Sequence, residues 1–85
     1  MSNLIWTGQA EKEYNYWVRH NPKIATRIDR IIDNISRDPF QGLGKPEPLK
    51  HDLHGMWSRR ITDSHRIIYD VIEDKITIYS CFGHY

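Results

Sequence analysis

Apolar positions follow three different rhythms along the chain, and each predicts a different kind of element. The opening "NLIW" is a short apolar cluster and reads as a strand. Thr7 then offers an N-cap, with Glu11 and Glu13 placed near the positive end of a following helix. Ala10, Tyr14 and Trp17 fall on one face of that helix, and "HNP" ends it, because Pro22 disfavours helical geometry in Asn21. Ile24, Ile28, Ile31, Ile32 and Ile35 repeat with helical period, which predicts a second helix from about Pro22 to Arg37 with an isoleucine stripe facing the core. "DPFQGLGKPEP" breaks both rhythms: three prolines and two glycines in eleven residues forbid a helix or a central strand. Phe40 and Leu43 within it argue for a packed loop. Beyond it, "GMWSRRI", "RIIYDVI" and "KITIYSCF" read as strands joined by the hairpin turns "TDSH" and "EDK".

The order β-α-α-β-β-β predicts a single α+β domain over residues 1–85, with two N-terminal helices packed on a mainly antiparallel sheet. In the last strand Ile76, Ile78 and Phe82 alternate, so a neighbouring strand would hold the C-terminus. His84 would continue that alternation and Tyr85 the opposite one. His84 would then project from a rigid scaffold.

Composition narrows the chemistry. A chain of 85 residues has room for one small domain. Its one cysteine, Cys81, excludes an internal disulfide, and its place among apolar strand residues marks it as a buried structural thiol. The lone thiol and the lack of a leader-like stretch lead us to expect a reducing cytoplasm. No apolar run approaches a membrane span. Net charge is only +1, but Lys45, Lys50, Arg59, Arg60 and Arg66 crowd into one stretch with His51, His54 and His65. The whole chain carries three tryptophans and five tyrosines, a high aromatic content for its size. Such interleaving suits nucleic acid, and it equally suits a solvated loop face over core aromatics.

The sequence has neither a phosphate-cradling glycine loop followed by Lys and Ser/Thr nor a dinucleotide fingerprint. His51 and His54, three apart, with His65 and His84 elsewhere, raise a metal site, but paired cysteine ligands are missing and "HDLH" can be an irregular loop. A stronger grouping is Glu47, Lys50, Arg60, Arg66, His84 and Tyr85. RNA can be cut with no metal or cofactor: a base deprotonates the 2′-OH, the 2′-oxygen attacks phosphorus, and an acid protonates the departing 5′-oxygen. Cations stabilise the extra charge on the phosphate. Glu47 could serve as the base, His84 as the acid, and Arg66 with Lys50 or Arg60 as the clamp. The bland reading gives the same residues to a loop, exposed strand positions and a chain end.

"GKPEPLKHDLHGMWSRRITDSHRIIYDV" with the terminal "HY" closely resembles the Txe/YoeB family of bacterial toxins, within the RelE/ParE superfamily of type II toxin–antitoxin systems. "LIWT", "YNYW" and "DPFQGLGKPEPLK" extend the resemblance over essentially the whole chain. It implies a RelE-like fold of the microbial-ribonuclease type. It implies a ribosome-dependent mRNA endonuclease that cuts at the A-site codon and arrests translation. The implied partners are a cognate antitoxin, the 70S ribosome with its mRNA, and a second copy in a homodimer. Glu47, Arg66 and His84 match the family's catalytic positions, and Lys50, Arg60 and Tyr85 its substrate-binding ones. Tyr85 would stack on or position a nucleotide. The ParE branch, which inhibits DNA gyrase, shares the fold without needing that set. If the ribosome supplies the in-line substrate geometry, then Arg19, Lys23, Arg27, Arg30 and Arg37 on the helices could contact ribosomal RNA. Mixed with Asp29 and Asp33, they also fit a merely solvated face.

Overall fold

A computed structural model describes residues 3–83, the Asp52 side chain excepted. Strand β1 (Asn3–Trp6) leads into α1 (Gly8–His20) and α2 (Pro22–Arg37). A two-residue strand β2 (Glu47–Pro48) and a single 3₁₀ turn (His51–Leu53) precede β3 (Met56–Arg60), β4 (Arg66–Ile72) and β5 (Lys75–Ser80). The sheet order is β1-β5-β4-β3-β2; β1 runs parallel to β5 and all other pairs are antiparallel. The α+β expectation holds, with β2 as an added edge strand. Its Pro48 is tolerable there because an edge position need not donate to a further ladder.

The local signals act as their chemistry requires. The Thr7 hydroxyl accepts the Ala10 N–H at 3.1 Å, capping α1. Pro22 occupies the first turn of α2, where its missing N–H leaves no hydrogen bond unmade. Ile28, Ile31 and Ile35 of α2 are fully buried against Ile67 and Tyr69 of β4 and Ile76 and Ile78 of β5. Each such isoleucine contributes about 1.5–3 kcal/mol through removal from water.

Two expectations fail. The last strand ends at Ser80, not Phe82. A bulge puts Ile68 opposite Ser80 while Tyr69 faces Ile78, so Tyr79 is the extra residue. One extra residue reverses which face each later side chain takes. Cys81 therefore enters the core and Phe82 is left 45% exposed. The expected alternation through Ile76, Ile78 and Phe82 is broken there, and His84 and Tyr85, the positions that were to extend it, lie outside the described residues. The loop after α2 is packed only in part by its apolar residues: Phe40 meets the Trp57 ring at 5.0 Å, yet it and Leu43 stay 48% and 44% exposed. A buried arginine does most of the holding.

That arginine is Arg59, whose side chain is wholly enclosed. Its Nε–H donates to the Tyr69 hydroxyl at 2.9 Å. One terminal nitrogen donates to Asn34 Oδ1 and to the Leu43 carbonyl, the other to the carbonyls of Asp38 and Gln41. A guanidinium has five N–H donors, and each meets an acceptor. Tyr69 passes the network on, donating to the Pro39 carbonyl at 2.7 Å. Burial pushes the Tyr69 phenol above its ordinary range, and its bond from Arg59 partly opposes the shift.

Candidate functional site

Directly paired strand residues point to the same face of a sheet. Tyr69, Ile67, Ile76 and Ile78 belong to the face under the helices. The alternating set belongs to the other: Ser58 and Arg60 on β3, Arg66 and Ile68 on β4, and Glu47, which pairs with Ser58. Arg60 stands directly opposite Arg66. Three of the sequence-predicted residues, Glu47, Arg60 and Arg66, thus share one helix-free face. Ser58, Ile68 and Leu49 form a buried floor on that face, apart from the main core. Lys50 joins Glu47 in lining a shallow depression of about 300 Å³ with Leu49, His51 and Leu53.

Like charges placed opposite one another repel. Neither Arg60 nor Arg66 has a carboxylate within ion-pair distance among the described residues, where the ion pair found is Arg37 with Asp33 at 3.3 Å. The Arg66 guanidinium is steadied by backbone instead: it donates to the carbonyls of Thr62 at 3.0 Å and His65 at 3.4 Å through one nitrogen. Two arginines at directly paired positions, with no carboxylate partner among the described residues, make a site of unbalanced positive charge, suited to a phosphate.

The loop before β2 is brought to this face by a close backbone approach. Arg60 N–H donates to the Gly44 carbonyl, and a Cβ on Gly44 would lie 2.7 Å from the Arg60 carbonyl oxygen. Gly44 also has a φ of +78°, so glycine answers both demands. Lys45 and His51, flanking the Glu47–Lys50 segment, have φ values of 52° and 60°. Left-handed backbone at non-glycine residues is costly and persists where the surroundings enforce it.

His84 and Tyr85 lie outside the described residues; the chain leading to them is held firmly. Trp17 Nε1–H donates to the Cys81 carbonyl at 2.9 Å, and the Cys81 N–H donates to the Glu13 carboxylate at 2.8 Å. Gly83 N–H donates to His65 Nδ1 at 2.7 Å, and Arg66 N–H donates to the Gly83 carbonyl at 2.9 Å. Cys81 itself is buried, which pushes its thiol up to about 12.

Two other groupings resolve differently. His51 and His54 are both exposed around the 3₁₀ turn, and among the described residues no three His, Cys, Asp or Glu side chains converge as a metal site would require. On the helices, Arg37 is paired with Asp33, and Asp29 accepts the Tyr14 hydroxyl at 2.7 Å. Lys23, Arg27 and Arg30 border a separate depression of about 330 Å³. Arg59, counted among the basic residues by sequence, faces the core. The alternation of Trp57, Ile67 and Tyr69 carried that signal. His65 had no such mark, because its partner, the Gly83 amide, is eighteen residues away.

Two N-terminal helices packed on one face of a five-stranded mixed sheet is the architecture of the RelE-type toxins. Residues 6–85 match the family described as the YoeB-like toxin of bacterial type II toxin–antitoxin systems, and the chain belongs to that family. Toxin YoeB of Escherichia coli O6:H1 is 48% identical over 82 residues, covering 96% of this chain and 98% of that protein. The YoeB dimer from Staphylococcus aureus superposes with a TM-score of 0.90 at 38% identity, over 99% of this chain and 98% of that one. The YoeB–YefM complex from the same organism gives 0.89 at 38% identity, over 100% and 99%.

Proposed function

We propose that this toxin is a ribosome-dependent endoribonuclease that cuts mRNA at the A-site codon and thereby inhibits translation, without metal or cofactor. The observation that carries the reading is the strand register that brings Glu47, Arg60 and Arg66 to one uncovered face. A phosphodiester laid there meets a carboxylate beside paired guanidinia. Glu47 takes the proton from the 2′-OH, and the 2′-oxygen forms its bond to the adjacent phosphorus. Arg66, with Arg60 and Lys50, stabilises the extra negative charge on the non-bridging oxygens. The bond to the 5′-oxygen breaks as His84 gives that oxygen a proton, leaving a 2′,3′-cyclic phosphate and a 5′-hydroxyl. Tyr85 stacks on or positions the nucleotide.

The partners follow from the same reading. A cognate antitoxin neutralises the toxin, as the YefM complex of the S. aureus relative suggests, and a homodimer is supported by the dimer of that relative. The ribosome aligns the mRNA, and Lys23, Arg27 and Arg30 contact ribosomal RNA. The site of action is the cytoplasm. A ParE-like action on gyrase is not favoured, because it leaves the Glu47–Arg66 face without a task. Primer extension on one defined mRNA in a purified translation system tests the proposal. Cuts at the A-site codon that require ribosomes and fade in Glu47→Ala, Arg66→Ala and His84→Ala support it; intact mRNA with the unsubstituted protein overturns it.

A further inference from the structure

The described segment that leads toward His84 and Tyr85 lies beyond β5, which ends at Ser80. What holds its last described residue is a two-point clamp from consecutive residues of β4 and its entry turn. His65 Nδ1 accepts the Gly83 N–H at 2.7 Å, and Arg66 N–H donates to the Gly83 carbonyl at 2.9 Å. Nδ1 can accept only when its lone pair is free, so the bond selects the imidazole form with its proton on Nε2.

The ring itself is fixed from two sides. Its backbone closes the turn between β3 and β4: the Ile61 N–H donates to the His65 carbonyl at 2.9 Å, and the His65 N–H to the Thr62 carbonyl at 3.4 Å. Its edge meets Trp17 with centroids 4.7 Å apart, and Phe82 lies 4.9 Å away. Phe82 in turn stacks on Trp17 at 5.1 Å. The same tryptophan holds the Cys81 carbonyl. His65 therefore links α1, the β3–β4 turn and the amide from which the last two residues continue, one position before Arg66.

We infer that His65 is a positioning residue: its Nδ1 fixes the Gly83 amide beside the Arg66 backbone and thereby serves the proton delivery proposed for His84. The inference rests on the nuclease reading for its effect on cleavage, but the hydrogen bond can be tested without it. A positioning role needs the acceptor, not merely the ring. His65→Phe keeps a ring and loses the acceptor. His65→Asn loses the ring but places an amide oxygen near the position of Nδ1.

The first measurement uses the unsubstituted protein: the scalar coupling between the Gly83 amide nitrogen and His65 Nδ1 in uniformly ¹⁵N-labelled toxin. A resolved coupling is expected, and its absence overturns the inference whatever the activity. The second is single-turnover cleavage of ribosome-bound mRNA. His65→Phe should lower the maximal rate roughly 10- to 100-fold, the range expected when a reacting group is misplaced by about an ångström. Half-saturation should stay unchanged, and His65→Asn should recover much of the rate. In a His84→Ala background the further loss from His65→Phe should nearly vanish, since both changes act through one group. A loss of equal size in both backgrounds, or one expressed only in half-saturation, overturns the positioning role. Full cleavage by His84→Ala alone would instead remove the assigned acid while leaving the coupling result to decide the clamp.

Discussion

Arg59 and Arg60 are neighbours in sequence and opposites in every other respect. Arg59 lies on the helix-covered face of the sheet, fully enclosed, each of its donors met by a neutral oxygen of Asn34, Tyr69 or a loop carbonyl. Arg60 lies on the face away from the helices, opposite Arg66, with no carboxylate partner among the described residues. A buried charge must be satisfied within the protein or the fold fails. An exposed one can be left for a ligand. The same residue type is a staple on one face and has no carboxylate partner among the described residues on the other, and the alternation of the strand puts the two on opposite faces.

That contrast can be broken from either side. The largest expected effect on stability is at Arg59. Arg59→Met should lower unfolding free energy by about 3–5 kcal/mol, because buried carbonyls and the Asn34 and Tyr69 side chains lose their donor. Arg59→Lys should recover little, since three donors from a point charge cannot span the five acceptors. Urea unfolding measures both. At Arg60 the pattern reverses. Arg60→Ala and Glu47→Gln should leave the urea midpoint within about 0.5 kcal/mol of the parent. Cleavage should fall roughly 10²- to 10³-fold, as removal of charge stabilisation or a general base does. A large stability loss in Arg60→Ala would erase the distinction between the faces.

Smaller effects sharpen it. Gly44→Ala forces a Cβ to within 2.7 Å of the Arg60 carbonyl at a φ of +78°. It should cost about 1–3 kcal/mol and also slow cleavage, because the displaced backbone carries Arg60. Calorimetry paired with the cleavage assay reads both. The smallest effect lies in the tyrosines. The Tyr14 phenol is raised chiefly by its bond to Asp29, Tyr79 chiefly by its bond to Asp70, and Tyr69 by burial. Each favours the neutral phenol in the folded state, so each contributes stability fully present below the ordinary tyrosine value near 10. That contribution is lost as pH rises through the raised values. The melting temperature should fall across that alkaline window, and less steeply in Tyr79→Phe.

Much of this was legible in the order of residues. The cap at Thr7, the break at Asn21–Pro22, the isoleucine stripe of α2 and the α+β order are local matters, written in spacing and side-chain shape over a few residues, and the structure follows them. The grouping of Glu47, Lys50, Arg60, Arg66, His84 and Tyr85 came from their chemistry and from the resemblance of the segment that carries them, and the strand register brings Glu47, Arg60 and Arg66 of that grouping to one face. The errors came where a distant partner or a single inserted residue intervened. The bulge at Tyr79 reversed the expected faces of Cys81 and Phe82, and nothing local in "TIYSCF" announces it. The loop after α2 was credited to Phe40 and Leu43, whereas Arg59, reaching from β3 on the helix-covered face, does most of the holding.

What spacing and composition settled, then, were the elements, the class of fold and the residue types available for phosphate chemistry, because these depend on interactions between near neighbours. Which groups satisfy Arg59, how Gly44 reached Arg60, and that His65 clasps Gly83 were decided only in three dimensions. Those outcomes depend on strand register and on hydrogen bonds across 10 to 25 residues of chain, and a bond over such a distance leaves no periodic trace in the residues between.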